Sequence, residues 1–301
     1  MNILVTGGTG FIGKALLSQL TQCSVTVLSR TPKQASEQLG ENVTAIGNLD
    51  SLDNLDLFDV VINLAGEPII NKRWTDKQKQ KICQSRWEIT QQLVEKCNAG
   101  NSPPHTFISG SAVGIYGNQY TTIIDEQFDI ADNIQKNDFA HEVCQQWEDI
   151  ALQAQSEQTR VCLLRTGIVL AQHGGALVKM LPPYQLGLGG PIGSGSQYFP
   201  WIHLDDMVNG ILFLLQTPSA SGAFNFSAPE PVTNKVFSQT LAQVLRRPHF
   251  LFTPAFVLQL VLGESASLLL DGQRAVPAKL EQLGYQFRHP QLKGALEDIL
   301  S

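Results

Sequence analysis

The 301-residue sequence predicts an α/β fold: a doubly wound parallel sheet with a smaller, mainly helical lobe toward the C-terminal end. Three observations carry this expectation. Short apolar runs rich in β-branched residues alternate with helix-period runs through the first 165 residues, the pattern of a parallel sheet covered on both faces. The first of these runs ends in glycines at 7, 10 and 13, spaced G-x-x-G-x-x-G, directly before a helical pattern. Beyond residue 233 the strand signals give way to mainly helical ones.

The elements follow in order. Ile3, Leu4 and Val5 form a short apolar strand that stops at Gly7, and Phe11, Ile12, Ala15, Leu16, Leu17 and Leu20 open a helix. In such a strand–turn–helix unit Gly7 permits the reversal. Gly10 lets the backbone approach a pyrophosphate with no Cβ in the way, and Gly13 lets the helix pack closely on the strand. The helix N-terminus then offers free N–H groups and a partial positive charge to phosphates. Further strands are expected at 25–28, 43–46, 60–63, 106–109 and 161–165. Helices are expected over 76–97 and 138–155, the latter with Phe139, Val143, Trp147, Ile150 and Ala151 on one face. Together these give a Rossmann-type dinucleotide-binding domain over residues 1–165, with ligands at the carboxyl ends of its strands. Residues 182–200 are rich in Gly and Pro and read as a long loop of the kind that shapes binding sites. A helix over 205–216, capped by Asp205 or Asp206, and a strand at 224–227 return to the sheet. Residues 201–227 are therefore assigned to the first domain, and 166–200 with 228–301 to the C-terminal substrate lobe. His203 reads as a packed or loop-tethering residue.

Composition narrows the function. With 43% hydrophobic and 16% charged residues the chain supports a full core, and its net charge of −6 supplies no basic field for nucleic acid or an anionic membrane. The strand at residues 2–6 is too short for the apolar core of a secretory leader, and the greasy stretch 250–262 is interrupted by Pro254 and Gln259. Five scattered cysteines, with no CxxC pair and no metal-ligand spacing, fit reduced thiols in a cytoplasmic protein with no metal site. The expected partner is a small-molecule substrate; oligomeric state is open, with a homodimer as one option.

Four stretches suggest what is bound. The end of the second strand reads Leu28-Ser29-Arg30-Thr31, with no carboxylate to bond a ribose 2′-hydroxyl and an arginine able to fork onto a 2′-phosphate; this favours NADP over NAD. Asn63-Leu64-Ala65-Gly66 ends the fourth strand with small residues suited to backbone passing beside the cofactor. Arg86, on the 76–97 helix, is placed either to reach cofactor phosphates or to remain a solvated surface charge. Ser111 and Tyr116 follow the fifth strand; Ser111 is placed to bond a substrate oxygen and Tyr116 to donate a proton, or both are structural turn residues.

The motifs at residues 6–13, 63–66, 109–117 and 201–206 resemble the extended short-chain dehydrogenase/reductases, relatives of the NAD-dependent epimerases and dehydratases. Residues 66–74, 85–87, 188–195 and 272–277 are similar to the sub-family labelled epimerase family protein, and the likeness runs essentially end to end. The resemblance implies cofactor contacts from Gly7, Gly10, Phe11, Ile12, Gly13, Ser29, Arg30, Leu64, Ala65 and Arg86. It places Ser111, allowing one inserted residue, at the catalytic serine. It also exposes a departure. The family's Tyr-x-x-x-Lys pair, in which lysine lowers the tyrosine pKa and tyrosine moves the proton, has Phe139 and Val143 in its place. Two accounts follow. One is an oxidoreductase or nucleotide-sugar-epimerase-like enzyme with relocated acid chemistry, Tyr116 and Ser111 first, with Arg86, Lys72 or Arg73 supplying charge. The other is a catalytically silent NADPH-binding sensor or regulator.

Overall fold

The computed structural model describes residues 1–40, 43–131, 133–134 and 138–301. The strands are β1 (Asn2–Thr6), β2 (Ser24–Leu28), β3 (Val43–Ile46), β4 (Val60–Asn63), β5 (Thr106–Ala112), β6 (Ile123–Ile124), β7 (Arg160–Thr166), β8 (Ile168–Ala171), β9 (Gly174–Gly175), β10 (Tyr198–Phe199), β11 (Trp201–His203), β12 (Gly222–Phe226), β13 (Val232–Thr233) and β14 (Arg274–Ala275). The helices are α1 (Phe11–Leu17), α2 (Pro32–Leu39), α3 (Asp76–Asn98), α4 (Phe139–Leu152), α5 (Leu177–Gln185), α6 (Leu204–Gln216), α7 (Asn234–Val244), α8 (Ala255–Leu262), α9 (Ser267–Leu270), α10 (Ala278–Gln282) and α11 (Leu292–Leu300).

Seven strands form one parallel sheet in the order β12-β7-β5-β4-β1-β2-β3. Side chains alternate across a strand, and β1 shows the consequence. Ile3 and Val5 point to one face, with Leu16 of α1 and Val208 and Ile211 of α6. Leu4 points to the other, with Leu93 and Val94 of α3 and Ile150 and Ala151 of α4. The order reverses beside β1, between strands reached by crossovers in opposite directions. That switch point opens the crevice where such sheets bind ligands.

The C-terminal region is mainly helical and packs α5, α7 and α11 around Phe199, Trp201 and Phe237. Three small sheets, β11-β8-β9, β10-β13 and β14-β6, tie it to the main body.

Local chemistry sets the helix starts. Thr75 Oγ1 accepts from the Gln78 N–H at the head of α3, and Asp138 Oδ1 from the His141 N–H at the head of α4. Two expectations need correction. The stretch read as a loop from 182 begins inside α5, which contains Pro182 and Pro183. Prolines disfavour helix interiors, but burial of Leu177, Leu181 and Tyr184 holds this one. Neither Asp205 nor Asp206 caps α6. The cap is His203, whose Nδ1 accepts from the Asp205 N–H at 3.0 Å. Asp206 turns inward and accepts from the Arg288 and His289 N–H groups at 2.7 and 2.8 Å.

Candidate nucleotide and substrate site

The glycine turn is built from backbone packed against backbone. Gly7 has φ +70°, and a Cβ there would lie 2.5 Å from the Leu64 carbonyl oxygen. A Cβ on Gly10 would lie 3.0 Å, and one on Gly13 2.3 Å, from the Gly7 carbonyl oxygen. The Gly10 N–H closes the turn onto that same oxygen at 2.9 Å. No side chain caps α1 and no acid sits in its first turn, so the amides that begin at Phe11, Ile12 and Gly13 face the crevice with the helix dipole behind them. This cradle fits a pyrophosphate.

Register brings the flanking segments to the turn. Thr6 pairs with Leu28 of β2 and with Asn63 of β4, so residues 29–30 and 64–65 leave the sheet on either side of it. The Ser29 N–H donates to the Ile46 carbonyl at 2.9 Å, and Ser29 Oγ accepts from the Thr31 N–H. Arg30 is exposed, and no carboxylate among the described residues pairs with it. Leu64 and Ala65 are anchored from below: the Ala65 N–H donates to Thr6 Oγ1 at 3.1 Å. Thr6 donates to Asn63 Oδ1 at 2.6 Å, and Asn63 Nδ2 donates to Thr90 at 2.8 Å.

Arg86 is half-buried. Its guanidinium covers Gly66, where a Cβ would lie 3.0 Å from Cζ, and stands 5.3 Å from the Trp147 ring centroid. Its Nη1 donates to the Ile82 carbonyl, and no carboxylate among the described residues pairs with it. Burial pulls its pKa below the ordinary arginine value. The solvated-charge alternative does not describe it.

Beside the nucleotide crevice lies a cavity of about 670 Å³, bounded by Phe11, Ala112, Thr166, Val169, Met180 and Leu268 among others. Phe11 closes one side; its ring packs so tightly on Gly174 that a Cβ there would lie 2.2 Å from Cδ2.

The expectation that Ser111 and Tyr116 face this crevice is not met. Both are buried in a polar cluster behind the wall. Ser111 Oγ donates to Glu148 Oε1 at 2.6 Å, and Arg165 binds Glu148 in a fork, Nε–Oε1 2.9 Å and Nη2–Oε2 2.8 Å. Arg165 Nη1 donates to the Tyr116 hydroxyl at 2.9 Å, and that hydroxyl donates to Asn225 Oδ1 at 2.7 Å. Burial works against the Arg165 charge, but the Glu148 hydrogen bonds and charge outweigh it and hold the pKa above its ordinary value. Burial pushes the Tyr116 hydroxyl up to about 12 despite the nearby guanidinium. The 3₁₀ turn Val113–Tyr116 follows β5 directly, and the Tyr116 ring is buried there with Val113, Ile115, Ile124 and Phe128. Lys72 and Arg73 are not part of the cavity wall either.

The α4 helix corrects the sequence reading by one residue. Phe139 and Val143 face away from the cavity and pack with Trp74 and Ile82, the Trp74 and Phe139 rings 4.9 Å apart edge to face. The positions four apart that face the cavity are Ala140 and Cys144. Alanine moves no proton, and burial pushes the Cys144 thiol up to about 12. Two acids reach the wall: Asp138, which caps α4, and Asp271, half-buried, with Oδ1 accepting from Asn118 Nδ2 at 3.3 Å. Burial, aided by Asp138, raises the Asp271 pKa above the usual carboxylate range. No sequence signal marked it: it stands outside any motif spacing, 153 residues from Asn118, the side chain it meets.

The fold also gathers His203, Asp205 and His289, with ligand-capable atoms within 4.8 Å of one another. His203 Nδ1 accepts a backbone N–H, so its proton sits on Nε2, 3.4 Å from Asp298. That tautomer has no lone pair left for an ion, and the group reads as a clasp between α6 and the C-terminal segment.

Fold and crevice together define a Rossmann-type dinucleotide-binding protein with a helical substrate region. Residues 3–226 match the NAD dependent epimerase/dehydratase family, and residues 253–299 match a domain of unknown function, DUF1731. The chain belongs to the NAD dependent epimerase/dehydratase family. It is 37% identical over 300 residues to an epimerase family protein of Staphylococcus aureus, covering 99% of this chain and 98% of that one. It is 39% identical over 311 residues to the chloroplastic SDR39U1 homolog of Arabidopsis thaliana, covering 100% of this chain and 87% of that protein. The crystal structure of human epimerase family protein SDR39U1 with NADPH superposes with a TM-score of 0.89 at 36% identity, covering 99% of each chain. No described helix is long and apolar enough to cross a membrane.

Proposed function

We propose that this protein binds NADP(H) and acts on a small carbonyl- or hydroxyl-bearing substrate in the adjoining cavity. The observation that carries the reading is the uncapped, acid-free head of α1 behind the glycine turn, with Arg30 at the end of β2 paired with no carboxylate among the described residues. Amides of Phe11, Ile12 and Gly13 hold the pyrophosphate; Arg30 and Ser29 hold the 2′-phosphate; Leu64 and Ala65 flank the ribose; Arg86 supplies charge from the α3 side. The human relative solved with NADPH supports the phosphorylated cofactor. A bound nicotinamide supplies or accepts hydride. Asp271, half-buried on the cavity wall with its pKa raised by burial, is the group placed to exchange the proton that balances the transfer.

Titration of NADPH and NADH by fluorescence tests the cofactor half. Hydrogen bonds to charged groups contribute about 1.5–3 kcal/mol, so Arg30→Ala weakens NADPH by tenfold or more and leaves NADH nearly unchanged. Equal affinities for the two nucleotides in the wild type defeat the 2′-phosphate assignment. Screening carbonyl substrates with Asp271→Asn tests the other half: NADPH binding persists and turnover is lost.

One observation favours a second reading. The α4 positions facing the cavity are Ala140 and Cys144, neither able to move a proton near neutral pH. A protein that binds NADPH tightly, turns over no carbonyl and changes its partner affinity with the oxidation state of the nucleotide fits this sensor account.

A further inference from the structure

We infer that the cavity takes an apolar molecule bearing a single carbonyl or hydroxyl, and does not take a nucleotide sugar. The inference deepens the proposed function and rests on it only for the cavity being the substrate's place.

The walls carry the argument. Three acidic or basic side chains reach the lining, Asp138, Lys179 and Asp271, a formal balance of one negative charge. A nucleoside diphosphate brings two further negative charges into that field. Lys179, the cation, is already bonded to Asn71 Oδ1. Arg274 is not part of the wall; its guanidinium stacks over the Tyr198 ring at 5.1 Å.

Several neutral polar atoms of the lining are engaged as well. Gln197 Nε2 donates to the Ile192 and Leu269 carbonyls, each at 3.0 Å. Gln273 Nε2 donates to the Gly117 carbonyl at 2.7 Å, and Asn234 Oδ1 accepts from the Ile192 N–H at 2.8 Å. Ser267 and Thr166 hydroxyls donate to backbone carbonyls. These bonds stitch the wall together and leave few donors for a ligand, chiefly the Tyr198 hydroxyl and the amide NH2 groups of Asn71 and Asn234. A nucleotide sugar buried here brings more hydroxyls, carbonyls and phosphate oxygens than these few groups can pair, and each one left over is a desolvation cost. A molecule with one oxygen, set toward the remaining Asp271 oxygen, strands none.

The remaining lining is apolar and continuous with the surface. Val169, Met180, Leu262, Leu268 and Leu269 line the cavity. Leu262 ends α8, whose Phe256, Leu260 and Val261 are exposed. The cavity lining thus continues through Leu262 into the exposed apolar face of α8.

Calorimetric titration of the full chain saturated with NADP⁺ tests this. The probes are trans-1-decalone, a compact apolar ketone, and UDP-glucose. Decalone is expected to bind saturably with one site and UDP-glucose at least tenfold more weakly. Leu269→Asp, which sets a charge on the wall, should weaken decalone by tenfold or more while NADP⁺ affinity stays unchanged. Leu269→Asn serves the same purpose if the aspartate variant does not fold, as judged by its melting curve. UDP-glucose binding as tightly as decalone, or decalone showing no saturable heat, overturns the inference while leaving the cofactor reading intact. Failure to load NADP⁺ at all strikes the cofactor reading instead, and decalone is then titrated into the nucleotide-free chain, where the same two results decide.

Discussion

Gly13 stands so close to Gly7 that a methyl group on it would lie 2.3 Å from the Gly7 carbonyl oxygen. That contact presses the start of α1 onto the turn and fixes where its free amides point. Gly13→Ala must push helix and turn apart. Overpacking of this kind costs about 1–3 kcal/mol, and chemical denaturation of the variant should show it. NADPH affinity falls with it, because the amide cradle opens.

The buried Glu148–Arg165 fork makes a second expectation. Removing one partner of a buried pair leaves an uncompensated charge, at a cost of about 3–5 kcal/mol. Glu148→Ala should lower the melting temperature sharply or abolish soluble expression. Tyr116→Phe, which removes one acceptor from the Arg165 Nη1 donor, is expected to cost about 1–3 kcal/mol and to leave the rate per folded molecule unchanged. A rate that collapses in a well-folded Tyr116→Phe would return Tyr116 to the chemistry.

Arg86 covers Gly66 with no carboxylate to answer it among the described residues. Arg86→Ala should weaken NADPH by roughly tenfold, the scale of one charge-assisted bond. Arg86→Lys should restore little, because an ammonium lacks the planar fork that lies along the Trp147 ring. Fluorescence titration of both variants checks this.

His203 sets a pH dependence whose sign follows from its surroundings. Burial, then the stacked His289 ring at 3.9 Å, holds its pKa below the ordinary value; Asp205, Asp206 and Asp298 oppose this without reversing it. The unfolded chain therefore binds the proton more readily. This part of the stability is present above about pH 6.5 and is lost as pH falls toward the depressed value. His203→Asn keeps a cap oxygen at the head of α6 and removes the titration. Melting curves between pH 7.5 and 5.5 should fall less steeply for that variant than for the wild type.

The sheet and the phosphate turn were legible in the sequence because both are local. Alternation along a strand, helix period and the spacing of three glycines each act within a dozen residues, and the strands from β1 to β7 fall where those periods put them. The end of β2 is legible for the same reason, since Ser29 and Arg30 follow their strand directly. What faces the cavity was not. On α4 a rotation of 100° separates Val143 from Cys144, and the apolar pattern does not say which stripe meets the core and which the cavity. Ser111 and Tyr116 stand at a strand end, yet Glu148, Arg165 and Asn225 draw them into the interior from elements 37, 49 and 109 residues away. Asp271 reaches the site only because the helical tail folds back over the sheet. Short-range periodicity determined the architecture and the nucleotide cradle. Pairings between residues far apart in the chain decided which side chains meet a substrate, since burial and charge depend on neighbours that only the folded chain supplies.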